Sequence, residues 1–203
     1  MNKKHYTLLA LLGIVLVVAG IFYYFTSEKT APIVNSGLAQ PLQAGSKGGV
    51  GTFVSDTYKM SMSFSSKYIV AAAELDATTT PNLMVALLLD TPENRDIVDG
   101  KVETSREGAT GITINVQKNP DGRSPEEWAK QNTNWNISDK ILATTTIAGV
   151  EGVMFRWSGL YEGASLIATQ GKFAYIFAVS WEGASDPIIG DFDQVLASFQ
   201  FNK

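Results

Sequence analysis

The sequence predicts an α+β protein: an antiparallel sheet of about seven strands with helices on both faces, preceded by one N-terminal transmembrane helix. Three observations predict it. Residues 8–25 form an uncharged apolar run of 18. Beyond Tyr58, short segments of alternating apolar and polar residues recur between glycine-bearing turns. Two helix-start signals interrupt that rhythm, Ser124-Pro125-Glu126-Glu127 and Asp186-Pro187.

The apolar run comes first in the chain. At about 1.5 Å per residue a helix over 8–25 spans roughly 27 Å, close to the hydrocarbon thickness of a bilayer. Lys3 and Lys4 precede it, and Phe22, Tyr23, Tyr24 and Phe25 close it as an interfacial aromatic belt. The positive-inside rule then places residues 1–7 in the cytoplasm and the C-terminal domain outside, on a single-pass bacterial cell-membrane protein. A cleaved signal peptide is the rival reading. Its apolar core would be shorter, about 7–15 residues, and the stretch from Ser27 to Pro32 offers no small-residue cleavage site. The uncleaved anchor is preferred.

Residues 26–51 are rich in Gly, Ser, Ala and Pro and lack periodicity, which predicts a flexible tether. Within it, Lys47-Gly48-Gly49-Val50-Gly51-Thr52 resembles the opening of a phosphate loop. The catalytic form needs a Lys directly after its last Gly and a helix beyond it. Thr52 and Phe53 stand there instead, so no nucleotide site is expected.

The domain proper is expected over 52–203. Tyr58, Met60, Met62 and Phe64 alternate with Lys59, Ser61, Ser63 and Ser65, the pattern of a half-buried strand. A second strand is predicted over 68–75. Residues 83–89, Leu-Met-Val-Ala-Leu-Leu-Leu, are apolar on both faces and predict a central strand covered on both sides. Ile112, Ile114 and Val116 alternate with Thr113, Asn115 and Gln117, a strand with one wet face. Ser124 is the expected N-cap of a helix running to about Thr133, with Pro125 at N1, Glu127 completing a capping box and Trp128 facing the core. Four further strands, over 141–147, 153–157, 165–170 and 173–181, are joined by short glycine turns that favour antiparallel hairpins. A last helix begins near Asp186-Pro187 and carries Ile188, Ile189, Phe192, Val195 and Leu196 on one face. Residues 198–201 close the chain as a short strand.

Composition narrows the function classes. The chain has 203 residues, 45% hydrophobic and 18% charged, enough apolar content to exclude wholesale disorder. It has no cysteine, hence no disulfide, thiolate metal site or Cys nucleophile. Its only histidine is His5, so the domain has no imidazole for general-base work or metal ligation. From Thr52 onward 12 Lys and Arg stand against 19 Asp and Glu, a net charge of −7, which disfavours nucleic acid as a partner.

No catalytic, cofactor-binding or metal residue is assigned. Asp90, Glu93, Asp96, Asp99 and Glu103 cluster, but they lack calcium-loop spacing, and Arg95 and Lys101 lie among them. They are expected to be a solvated loop. Glu126 and Glu127 are adjacent on a helix, point in different directions and are accounted for by capping. Asn136-Ile137-Ser138 fits a glycosylation sequon by chance. Of Trp135, Trp157, Tyr161 and Trp181, most are expected to pack in the core. Trp157 and Tyr161 flank a hairpin tip and are the candidate binding surface.

The order of these elements resembles the PsbP-like family, named for an extrinsic subunit of photosystem II. The resemblance rests on the strand at Tyr58–Phe64 with Tyr68 following, the Ser124-Pro125-Glu126-Glu127-Trp128 helix start, the hairpin from Gly149 to Gly152 leading into Phe155, and the closing Phe192-Asp193-Gln194-Val195-Leu196-Ala197-Ser198-Phe199. It implies an antiparallel sheet sandwiched by helices and a domain that is not generally an enzyme. Similar bacterial domains sit on lipoproteins or single-span proteins of unknown role. This chain differs from the photosynthetic members in its anchor and in offering no domain histidine for their suggested metal roles, so a photosynthetic role is not carried over. The expectation is a tethered extracytoplasmic domain, without cofactor, that binds or helps assemble an envelope component. The alternative is a small-molecule carrier or enzyme using a pocket lined by Asp, Glu, Tyr and Trp.

Overall fold

The computed structural model describes residues 49–74, 83–99, 101, 111–132, 143–159 and 161–202. The expected transmembrane helix, most of the tether, Glu103, Trp135 and the sequon at 136–138 lie outside them. Among the described residues no helix is long and apolar enough to cross a membrane.

Ten strands and three helices are described, in the order β1 (Val50–Ser55), β2 (Met60–Ser65), β3 (Tyr68–Glu74), β4 (Leu83–Leu89), α1 (Pro92–Val98), β5 (Ile112–Lys118), α2 (Pro125–Asn132), β6 (Ala143–Ile147), β7 (Val150–Ser158), β8 (Glu162–Gln170), β9 (Phe173–Trp181), α3 (Ile188–Ser198) and β10 (Gln200–Phe201). They form two sheets. A seven-stranded sheet has the order β3-β4-β5-β9-β8-β7-β6, and a three-stranded sheet has the order β1-β2-β10. Every described pairing is antiparallel.

Local chemistry accounts for most elements. In β2, Met60, Met62 and Phe64 are buried while the intervening serines are half-buried, as a two-residue period requires. At α2, the Ser124 backbone N–H donates to the Glu127 carboxylate at 3.0 Å, and the Glu127 backbone N–H donates to Ser124 Oγ at 3.3 Å. This reciprocal box holds the Glu127 carboxyl below its ordinary range, first through the backbone bond and then through the Ser124 hydroxyl. Trp128 is buried beneath it. In α3 the apolar face closes on the core with Ile188, Phe192 and Val195 buried. The turn between β6 and β7 sets Ala148 and Gly149 at φ of 48° and 80°, the type I′ geometry that suits a two-residue hairpin.

The seven-stranded sheet has a core on each face. On one, Val85, Ile114, Phe177 and Leu166 line up across four strands and meet β2, α3 and Phe199 in a single apolar cluster. Edge-to-face rings tie that cluster together. Phe177 and Phe199 have centroids 4.8 Å apart, and Tyr175 and Phe201 are 5.0 Å apart. Inside it the Tyr175 hydroxyl donates to the Tyr58 carbonyl at 2.8 Å, and burial pushes the Tyr175 phenol up to about 12. On the other face Val153, Phe155, Ile167, Ala174 and Ile176 pack under Trp128 and Ala129 of α2. Helices therefore flank the sheet on both faces.

Four expectations change. β1 begins at Val50 and takes in Gly51, which the sequence reading left in the tether. Gly51 is needed there because a Cβ would run into the Phe64 ring, so its role is a close strand contact rather than phosphate binding. β4 is not fully covered on both sides: Leu83, Val85 and Leu87 are buried, but on the opposite face Met84 is 40% exposed and Ala86 and Leu88 are half-buried. The acidic stretch contains α1, capped by Thr91 with Pro92 in its first turn, where a loop was expected. The closing strand belongs to a second sheet, pairing with β2 through Gln200 and Phe201.

Candidate binding site at the end of the β7–β8 hairpin

The site is built where β7 and β8 end. Their register sets Trp157 opposite Gly163 and Ser158 opposite Glu162, and β9 adds Trp181 opposite Glu162. The connecting turn is closed by the Gly159 N–H donating to the Tyr161 carbonyl at 2.9 Å. A recess of about 280 Å³ opens at this end, lined by Arg156, Trp157, Ser158, Glu162, Gly163 and Trp181.

The two tryptophans of the lining have definite supports. The Trp157 ring lies against Gly163, in space that a Cβ would occupy. Its Nε1–H donates to Ser165 Oγ at 3.1 Å, and Ser165 is fully buried. The same ring packs on the smaller core under α2. Trp181 is 5% exposed, and its Nε1–H donates to Glu162 Oε2 at 3.1 Å. The two indoles are thus held by one hydroxyl and one carboxylate. Arg156 is exposed, and among the described residues no carboxylate pairs with it.

Of the two residues singled out from sequence, Trp157 lines the recess and is half-buried, while Tyr161 is half-buried in the turn beside it. Trp181 stands beside Glu162 through the β8–β9 register, on the face of the sheet opposite the Trp157 ring. Sequence reasoning missed Arg156, Ser158, Glu162 and Gly163. The glycine turn at 159–163 was the available signal, since pairing across it places Trp157 on Gly163.

The other candidates resolve into structural roles. The Arg95 guanidinium bonds both Asp90 carboxylate oxygens, at 2.5 and 2.7 Å, and Lys101 bridges Asp96 and Asp99 at 3.1 and 2.8 Å. Among the described residues no group of three or more His, Cys, Asp or Glu is placed to hold a metal. Glu126 pairs with Lys130 at 2.6 Å, one turn along α2, and Glu127 folds back on Ser124. Asp191 of α3 accepts from the Tyr68 hydroxyl and from Lys67, both at 2.6 Å, tying β3 to α3. Burial, then the bond to Asp191, raises the Tyr68 phenol above its ordinary value. Asn115 Oδ1, on the α2 side of the sheet and away from the recess, is buried without a hydrogen-bond partner among the described residues.

No family model matches the sequence, and no curated protein does. Among solved structures, the fold is similar to that of cyanobacterial PsbP (CyanoP) from Synechocystis sp. PCC 6803. The TM-score is 0.49 and the identity 9%, covering 81% of this chain and 99% of that one. A crystal structure from Bacteroides thetaiotaomicron VPI-5482 is similar with a TM-score of 0.46 and 11% identity, covering 75% of this chain. This chain spans about half of the Bacteroides chain, 48% of its length. Both are coarse likenesses of fold, and no activity or partner passes from either protein to this one; the PsbP-like resemblance read from the element order has, in CyanoP, a solved counterpart.

Proposed function

We propose that this chain is a single-pass membrane protein whose extracytoplasmic domain binds an envelope component without transforming it, through the end of the β7–β8 hairpin. The observation that carries the reading is the recess itself. It is open, bordered by Trp157 and Trp181, whose indole N–H groups are already bonded on opposite faces of the sheet, and edged by an exposed guanidinium. Such a surface offers contact area and charge. General acid–base chemistry needs a titratable pair within reach of a reacting group. Glu162 is the one carboxylate lining the recess, and it already accepts from Trp181. The carrier or enzyme alternative calls for a deep pocket with convergent carboxylates.

The tether supports the location. The uncharged run at 8–25 with Lys3 and Lys4 before it favours an anchored N-terminus. A tether of the composition read over 26–51 would reach roughly 25–30 Å on average, which would keep the domain close to the headgroups.

The test places a photo-crosslinking residue at Tyr161 in the full chain, in native membranes, with a control at Asp121, an exposed turn residue before α2. A discrete adduct from position 161 and its absence from 121 is the expected result. The same adducts from both positions would remove the hairpin end as a binding surface. Intact-mass measurement of the membrane-extracted chain tests the anchor, and a mature N-terminus beyond residue 25 would overturn it.

A further inference from the structure

We propose that the outer edge of β1 is a self-association surface, where β1 of a second copy of this chain adds antiparallel and joins the two small sheets into one of six strands. β1 ends its sheet. β2 pairs with it on one side, and no strand among the described residues pairs with it on the other. That free side presents a row of backbone N–H and C=O groups, the template on which another strand adds. Edges that stay single are ordinarily blunted by Lys, Pro or a bulge. Val50–Ser55 reads Val-Gly-Thr-Phe-Val-Ser, without charge or proline, and its pairing with β2 runs unbroken over all six residues. Gly51 and Phe53 are buried, which leaves Val50, Thr52 and Val54 on the exposed face. Four large hydrophobic side chains are exposed among the described residues, and two of them, Val50 at 48% and Val54 at 37%, are on this strand. The other edges differ. β3 starts at Tyr68, which is tied with Lys67 to Asp191 of α3, and β10 has two residues. β6 is uncharged too, but it exposes Ala143, Thr144 and Thr146 and no large apolar side chain.

The residue pattern names the occupant. Residues opposite one another in an antiparallel pair share a face. A two-fold register centred on Thr52 therefore sets Val50 against Val54 of the second copy, Thr52 against its own mate and Gly51 against Phe53. Each exposed pair is then β-branched on β-branched, with no charge to desolvate. The same patch serves both copies, so the contact closes at two. The chain ahead of the strand allows it. The two Val50 residues would stand about 13 Å apart along the paired strands, and a tether of the composition read over 26–51 would reach roughly 25–30 Å. Two copies in one membrane can therefore pair. That point rests on the anchored reading, and the pairing itself does not. Strand pairing over five residues is a small contact of the transient class.

The experiment uses the absence of cysteine from the chain. Single-cysteine variants of the full chain are oxidised in native membranes with copper phenanthroline and air, and the rate and mass of the disulfide-linked product are read. Opposite positions lie about 4.5–5.5 Å apart, within disulfide reach, whereas the two copies of position 54 would lie about 13 Å apart. Thr52→Cys should therefore give a product of twice the chain mass. A mixture of Val50→Cys and Val54→Cys chains should do the same. Val54→Cys alone, and Thr144→Cys on the exposed β6 edge, should link at least about tenfold more slowly. Added to Thr52→Cys, the pair Val50→Lys and Val54→Lys sets like charges opposite at two symmetric places and should slow linkage about tenfold. The pair Val50→Lys and Val54→Glu sets opposite charges there and should restore it. The proposal is overturned if Thr52→Cys links no faster than Thr144→Cys, if Val54→Cys alone matches Thr52→Cys, or if the exchanged charges fail to restore linkage. A Thr52→Cys adduct with the mass of a different protein would also overturn it, by assigning the edge to another partner.

Discussion

The two faces of the seven-stranded sheet do different work. The face toward β2 and α3 is sealed by rings and branched aliphatics from eight strands of the two sheets and one helix, with Met60, Val85, Leu87, Ile112, Ile114 and Phe177 fully buried. The face toward α2 is sealed over only three strands, β7 to β9, by Trp128 and Ala129, and its packing runs out at half-exposed Trp157. Beyond that cover, Met84 of β4 is exposed on the same side of the sheet. The thick core supplies the burial that offsets chain entropy. The thin one ends in the recess, where a side chain can be supported without being sealed. Substitutions on the two faces should therefore differ in their cost to stability.

The largest break expected is Phe177→Ala. Phe177 has no exposed surface and stacks edge-on with Phe199, so truncation should cost about 3–5 kcal/mol, read as a lowered urea midpoint. A cost under about 1 kcal/mol would mean that this face is not the main core. Next comes Gly163→Ala on the thin face. The added methyl displaces the Trp157 ring, with an expected cost of about 1–3 kcal/mol. The sharper readout is the Trp157 indole resonance, which should move while the ring contacts of Phe177 stay unchanged. If Trp157 does not move, it is not supported by Gly163.

Tyr175→Phe has the smallest effect, about 1 kcal/mol for the lost bond to the Tyr58 carbonyl, and a pH signature. In the folded chain burial pushes the Tyr175 phenol up to about 12, and the Tyr68 phenol is raised too. In the unfolded chain both ionise near 10. The unfolded state therefore loses its phenolic protons first as pH rises. The stabilisation is complete below about pH 10 and is lost as pH climbs through the folded values. Denaturation midpoints between pH 9 and about 12 should decline less steeply in Tyr175→Phe than in the parent. Equal slopes would show that Tyr175 ionises as freely folded as unfolded.

Much of the fold is legible along the chain, and particular residues show why. Ser124, Pro125 and Glu127 are within four positions of one another, so their capping box is written locally and folds as read. The same grammar at Thr91-Pro92-Glu93 marks α1, but that helix buries no side chain and its charges read as loop. β1 was hidden for the opposite reason. Its first inward position is Gly51, which looks like tether until the Phe64 ring is seen to fill the space. In the site, Trp157 was found because it is large and beside a turn. Arg156 and Glu162 were not, because an exposed charge acquires meaning only from what does or does not pair with it.

The sequence by itself determined the periods, caps and hairpin turns, because these depend on neighbours within a few residues, and it determined the exclusions that follow from having no cysteine and no domain histidine. Only the tertiary structure decided that β5 pairs with β9, that the chain's end leaves the main sheet to join β2, and that the Trp181 indole N–H donates to Glu162. Those choices rest on contacts between residues far apart in the chain. Such contacts form where loop closure is offset by burial, and no local pattern records them.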